Sequence, residues 1–172
     1  MSLVAVGLTG ASGALLALTV LDKLAQRGFG IALLLSDNAA TVVKLELGLS
    51  KSDLIKAATF VVDSVDDLRL EGLRSLIVVP CSVKTLAGIA WGRTDTLLLK
   101  LANKVLNAGI RTVLVVRETP WSLIHLRNML RACDRGAIIM SPTIQPKPNQ
   151  KKLKEVVAEL ADKIIDLSLK VV

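Results

Sequence analysis

Tyrosine is absent from this chain, and Phe29, Phe60, Trp91 and Trp121 are its only aromatics. A stacking platform for single strands or RNA loops is hard to assemble from so few rings, which argues against a nucleic-acid partner. The single histidine, His125, excludes a histidine-based metal cluster, and two cysteines leave no zinc site to propose. Cys81 and Cys133 are also too few for a disulfide framework, which points to a reducing, cytoplasmic setting. Charge is missing from residues 1–21, long enough to raise a membrane helix or signal peptide. Gly7, Gly10 and Gly13, the polar Thr9 and Ser12, and the lack of a basic leader argue against both.

What is present is apolar and basic. With 172 residues, 52% of them hydrophobic, the chain has material for one core, and residues 1–172 are expected to form a single domain. Lys and Arg number 22 against 15 Asp and Glu, and the formal charge of +7 favours an anionic partner. A small phosphorylated ligand fits best, with part of the excess being solvated lysine at 147, 151, 152 and 154. The mean hydropathy of +0.55 is high for a soluble monomer. Residues 95–106 carry apolar side chains on more than one helical stripe, so a homo-oligomer is expected.

The pattern alternates strands and helices. Strands are expected at 3–8, 31–35, 60–62, 76–79, 112–116 and 137–140, the fourth closed by Pro80. Helices are expected at 14–27, from Ser36 or Asp37 to about 47, at 50–58, from Ser82, from Asp95 to Gly109, from Ser122 to about 132, and at 151–169. Residues 141–150 hold Pro142, Pro146 and Pro148 and read as an extended arm. Continuous apolar strands between helices specify an α/β, three-layer, Rossmann-like fold with helices on both faces of a parallel sheet. Ligands then sit beyond the carboxyl ends of the strands, at the point where strand order reverses.

Three loops fall at that edge. Thr9-Gly10-Ala11-Ser12-Gly13-Ala14 lets backbone approach a ligand and offers the free N–H groups of a helix start to an anion. Pro80-Cys81-Ser82-Val83-Lys84-Thr85 adds hydroxyls, a lysine and a second helix start, although Ser82 as an ordinary cap explains part of it. Arg117 and Glu118 leave an apolar strand directly before Thr119-Pro120, as an arginine to hold an anion and a carboxyl to move a proton, or as a plain ion pair. No His, Asp or Asn near Cys81 in sequence supports it as a nucleophile. Asp37, about 24 residues after Gly13, keeps a nicotinamide-dependent oxidoreductase in view, although the glycine spacing is wrong for that fingerprint.

Four segments together resemble the UbiX-type flavin prenyltransferases: residues 6–14, residues 80–89, residues 116–120 with His125-Leu126-Arg127-Asn128-Met129, and residues 136–142. More distantly the chain is similar to flavin-containing cysteine decarboxylases. The resemblance implies a six-stranded sheet of order 3-2-1-4-5-6, a dodecamer, and an enzyme that takes FMN and dimethylallyl monophosphate without metal. The dimethylallyl group would join reduced FMN at N5 and then C6, and the prenylated FMN would serve a UbiD-type decarboxylase. By matching position, FMN contacts fall on Gly10, Ala11, Ser12, Ser36, Ser82, Val83, Lys84, Thr85 and Arg117. Ser12 and Glu118 match the proton-handling pair, and Glu46 a further acid.

Departures fall on the prenyl-phosphate side. A Pro-x-Phe-Tyr segment is replaced by Ile144-Gln145-Pro146-Lys147, a lysine by Asn107, and two arginines by Lys100 and Lys163. Lys100, Lys147 and Lys163 are therefore the candidates for the substrate phosphate, with lysine keeping the charge but losing the bidentate fork. The alternative function is an FMN-binding flavoprotein without prenyl transfer, acting as carrier, reductase or partner.

Overall fold

Runs of valine, isoleucine and leucine with little polar interruption build the sheet. The structure, a computed structural model, describes residues 2–142 and 153–170. Strands β1 (Leu3–Leu8), β2 (Gly30–Leu35), β3 (Phe60–Val61), β4 (Leu73–Cys81), β5 (Arg111–Val116) and β6 (Ala137–Met140) lie in the order β3-β2-β1-β4-β5-β6. Every pairing is parallel, so the order 3-2-1-4-5-6 implied by the resemblance is the order observed. Helices α1 (Ala14–Gln26), α2 (Ala39–Leu47), α3 (Lys51–Lys56), α4 (Val83–Ala90), α5 (Leu97–Asn107), α6 (Leu123–Asp134) and α7 (Leu153–Leu169) cover the two faces. None of the described helices is long and apolar enough to cross a membrane.

Side-chain alternation sorts the core into two layers. Val4, Val6 and Leu8 pack with Leu21 and Leu24 of α1 and Ile164 and Ile165 of α7. Ala5 faces the other way, into the layer formed by α4, α5 and α6. Full burial of each leucine in these layers stabilises by roughly 1.5–3 kcal/mol. Gly7 and Gly88 admit α5 closely, because a Cβ would stand 2.6 Å from Leu98 Cδ1 at the first and 2.7 Å from Leu99 Cδ1 at the second. Charge pairs clamp α7 onto α1: Lys23 to Asp162 at 2.8 Å, and Arg27 to Asp162 at 2.7 Å and to Asp166 at 2.6 Å.

Several boundaries differ from the sequence expectation. β4 does not stop at Pro80 but runs on to Cys81, with a shift in its pairing to β5 between Val78 and Cys81. A proline has no N–H for the ladder, and the strand passes it by slipping register rather than ending. The α2 cap is Asn38, not Ser36 or Asp37, because Ser36 N–H extends the sheet by bonding Leu8 O at 3.0 Å. Thr96 rather than Asp95 starts α5, its hydroxyl accepting Leu99 N–H, while Asp95 pairs with Arg93 at 2.8 Å. The apolar residues of α5 are not surplus either. Leu98, Leu99, Leu101, Val105 and Leu106 are buried within this one chain. Exposed apolar groups sit instead at Trp91, Trp121, Leu123, Ile124, Leu126 and Leu130. Of the expected arm at 141–150, all but Ser141 and Pro142 lie outside the described residues, as do residues 151 and 152 of the expected last helix.

Candidate active site

Chain reversal between β1 and β4 opens a crevice, because β1 leads through α1 on one face and β4 through α4 on the other. Four loops meet there, and each is pinned by its neighbours. Gly10 lies so near Asn38 that a Cβ would stand 2.7 Å from Asn38 Cβ, which presses the first loop against the one that holds Ser36. Gly13, with φ of 125°, caps α1 in a conformation that side chains rarely adopt. Thr9 donates to Pro80 O at 2.8 Å and accepts from Ser82 N–H at 3.0 Å, which joins the first loop to the third. The fourth loop reaches back through Glu118, whose Oε1 accepts from Val83 N–H at 3.4 Å.

The starts of α1 and α4 are each met by a carboxylate from elsewhere in the chain. At α1, Glu46 accepts from Gly13 N–H at 3.1 Å, from Ala14 N–H at 2.8 Å and from the Ser12 hydroxyl. Burial alone raises its pKa, but the Ser12, Ala14 and Gly13 bonds and the charge of Arg117 outweigh that and hold the carboxyl below its ordinary 4.5. The two N–H groups expected to be free for a ligand anion are thus occupied by the protein's own glutamate. At α4, Ser82 caps Thr85 N–H at 3.2 Å and its hydroxyl lies 3.0 Å from that of Thr85. Glu118 Oε2 is buried with no partner, and so is Ser36 Oγ, on the loop after β2, on the far side of the β1–β4 reversal. Two orphaned polar atoms that flank the reversal fit a polar ligand lying across it.

Ser12, Ser36, Ser82, Val83, Thr85 and Glu118 are therefore brought to one rim, with Gly10 and Ala11 in the first loop. Arg117 directly follows β5 and its charge acts on Glu46, and Lys84 is exposed in the first turn of α4. The phosphate candidates are not gathered with them. Lys100 is exposed one turn before Lys104, which donates to Val65 O and Leu68 O. Lys163 is exposed next to Asp162, which pairs with Lys23, about 13 Å along α1 from its start at 1.5 Å per residue. Lys147, with the whole 144–147 departure, lies outside the described residues.

Cys81 is fully buried, and burial first, then the charge of Glu118, pushes its thiol far up; it is no nucleophile. His125 accepts from Ser122 N–H at 3.2 Å through Nδ1, a local cap for α6. Sequence reasoning missed Thr9 as a bridge between loops, although a β-branched hydroxyl between strand and glycine turn was its visible signal. An open cleft of about 830 Å3, lined by Trp91, Arg127, Arg131 and Arg135 among others, lies between α4 and α6. It shares no residue with the rim, and the convergent loops rather than cleft size identify the site.

A parallel sheet reversing at β1 and β4, with glycine, serine and arginine loops gathered at that reversal, defines an α/β protein built to hold a nucleotide-sized ligand. The family model described as "Flavoprotein" matches residues 2–165. The chain is 33% identical over 168 residues to the flavin prenyltransferase UbiX of Thauera aromatica, across 95% of this chain and 87% of that one. Among solved structures it is similar to AnUbiX crystallised with FMN and dimethylallyl pyrophosphate, with a TM-score of 0.91, 33% identity, and coverage of 96% and 91%. It is also similar to a dodecameric FMN-dependent UbiX-like decarboxylase from Escherichia coli O157:H7, with a TM-score of 0.89, 32% identity, and coverage of 95% and 93%. The chain belongs to the flavoprotein family, among the UbiX flavin prenyltransferases.

Proposed function

We propose that this chain, acting as one domain over residues 1–172, transfers a dimethylallyl group from its phosphate ester to reduced FMN. The observation that carries this reading is the rim itself: an arginine, serine hydroxyls and a glutamate with an unpartnered buried oxygen meet at the strand reversal. The likeness to AnUbiX, whose crystals hold FMN and dimethylallyl pyrophosphate, supports the same pair of ligands here.

FMN, taken up reduced, supplies the nucleophilic ring. Ser36, the Ser82–Thr85 segment and Arg117 hold the nucleotide, and Gly10 and Ala11 let the ring approach the backbone. An allyl phosphate ionises where its leaving group meets fixed donors and cations, and a closed rim keeps water away. In this reading the ester C–O bond breaks as an N5–C bond forms, and the phosphate leaves with the N5 proton. That proton then adds to the prenyl C=C bond while C6 bonds its tertiary carbon, and Glu118 takes the C6 proton and passes it to the phosphate, with Ser12 on the neighbouring α1 loop. The product suits a UbiD-type decarboxylase as its consumer. The chain assembles into a homo-oligomer, a dodecamer in the pattern of the UbiX-like decarboxylase, with the α6 face of Leu123, Ile124, Leu126 and Leu130 as its apolar contact. We place it in the cytoplasm on its cysteine content.

Anaerobic incubation with reduced FMN and either dimethylallyl monophosphate or pyrophosphate, followed by mass analysis of the flavin, tests the reading. A gain of one prenyl unit with at least one donor is expected. Bound flavin without any gain favours the second reading, an FMN protein without transfer, for which the missing aromatic at 144–147 speaks. The nicotinamide reading loses ground, since Glu46 occupies N–H groups at the first turn that a pyrophosphate takes in such enzymes.

A further inference from the structure

We propose that Thr9 is a positioning residue of the flavin rim, its buried hydroxyl fixing the spacing between the loop that starts α1 and the loop that starts α4. The ligand in this proposal rests on the flavin reading above; the strut itself does not.

Thr9 is 3% exposed and stands directly after β1. Its neighbour strand offers no regular ladder at this level. Pairing of β4 with β5 shifts between Val78 and Cys81, and Pro80 has no N–H to give. Pro80 O and Ser82 N–H flank Cys81, where pairing to β5 resumes and the chain turns into α4. The Thr9 hydroxyl takes both: it donates to Pro80 O at 2.8 Å and accepts from Ser82 N–H at 3.0 Å. Valine there would keep the shape yet remove both bonds, the buried one to Pro80 O and the part-buried one from Ser82 N–H.

What hangs on that strut is the ligand-facing geometry. Ser82 carries the hydroxyl that caps Thr85 N–H, and the next residue, Val83, presents its N–H to Glu118. On the other side of Thr9, Gly10 is pressed against Asn38 in the Ser36 loop. Thr9 and Gly10 thereby link three ligand loops, the glycine by close approach and the threonine by register. A purely structural threonine would serve through its methyl group and β-branching alone.

Thr9→Val and Thr9→Ser separate hydroxyl from shape. FMN titration followed by flavin fluorescence should show Thr9→Val weakening binding about tenfold or more, while Thr9→Ser stays within about threefold of the parent. Amide exchange should show Ser82 N–H protected in the unliganded parent protein and in Thr9→Ser. Parent-like FMN affinity in Thr9→Val, whatever its melting temperature, overturns the proposal, as does Thr9→Ser binding as poorly as Thr9→Val. Should Thr9→Val not fold, the parent and Thr9→Ser decide, and rapid exchange at Ser82 in either overturns the strut. A parent protein that takes up no FMN refutes the flavin reading instead, and Ser82 protection then decides the strut by itself.

Discussion

At the start of α1 the incoming carboxylate is Glu46, which engages the Gly13 and Ala14 N–H groups and the Ser12 hydroxyl. At the start of α4 it is Glu118, which has one long contact to Val83 N–H and one buried oxygen with no partner. The two turns share a plan, a helix start met by a glutamate from elsewhere in the chain, Glu46 from the last turn of α2 and Glu118 from the loop after β5, but differ in how completely the carboxylate is satisfied. A fully bonded carboxylate resists giving up or gaining a proton, and its bonds fix a loop. One with an idle, buried oxygen is ready to bond a ligand or receive a proton. In the proposed reaction this contrast fits Glu46 to loop holding and Glu118 to proton transfer.

The sharpest break of this comparison is Glu118→Gln. It should leave FMN bound and slow prenyl transfer by at least about tenfold, measured as adduct formed per minute. Turnover at the parental rate would remove Glu118 from the chemistry and erase the contrast. Arg117→Ala comes next: loss of a charged donor should loosen FMN by about tenfold in a fluorescence titration. A smaller change is expected from Glu46→Ala, which removes the cap from α1. Its cost should be about 1 kcal/mol, seen as a melting temperature lower by about 2–4 °C.

Acidity sharpens the same comparison. The folded Glu46 carboxyl lies below its ordinary 4.5, so the ionised form is the one that folding favours. Its contribution is fully present above that ordinary value and is lost as pH falls through the folded one. The melting-temperature gap between the parent and Glu46→Ala should thus be open at neutral pH and close as acidification passes below the ordinary 4.5. A gap that widens in acid would contradict an ionised Glu46 at the α1 start.

Local signals in the sequence were enough for much of this architecture. β1 at Leu3–Leu8 and β6 at Ala137–Met140 were legible from their apolar runs, and Ser82 and Ser122 as helix starts from capping chemistry. The loops that converge could be named because a parallel sheet sends every strand end to one edge. What stayed hidden depends on contacts between distant residues. Glu46 is 32 residues from the Ala14 N–H it accepts from, and Thr9 is 71 residues from Pro80. Neither spacing has a period that sequence could display. Pro80 misled for the opposite reason: it is a strong local stop signal, overridden where sheet pairing slips by a residue. The α5 leucines misled as well, since small Gly7 and Gly88 beneath them make room that composition does not reveal.

The smallest expected effect falls on Cys81, which lies next to the α4 start and feels the charge of Glu118. Its thiol is fully buried and pushed far toward the neutral form, so it has neither access nor ionisation for attack on an allyl ester. Its Sγ makes only a weak bond, to Ser82 O at 3.7 Å. Cys81→Ala should therefore change the transfer rate by less than about twofold while removing a few packed atoms from the layer below α4. The measurement matters for Glu118 as much as for the cysteine. If Cys81→Ala slowed transfer as much as Glu118→Gln does, a thiol held beside the carboxylate would share its proton, and the contrast between the two helix starts would rest on a pair of groups rather than on one unsatisfied oxygen.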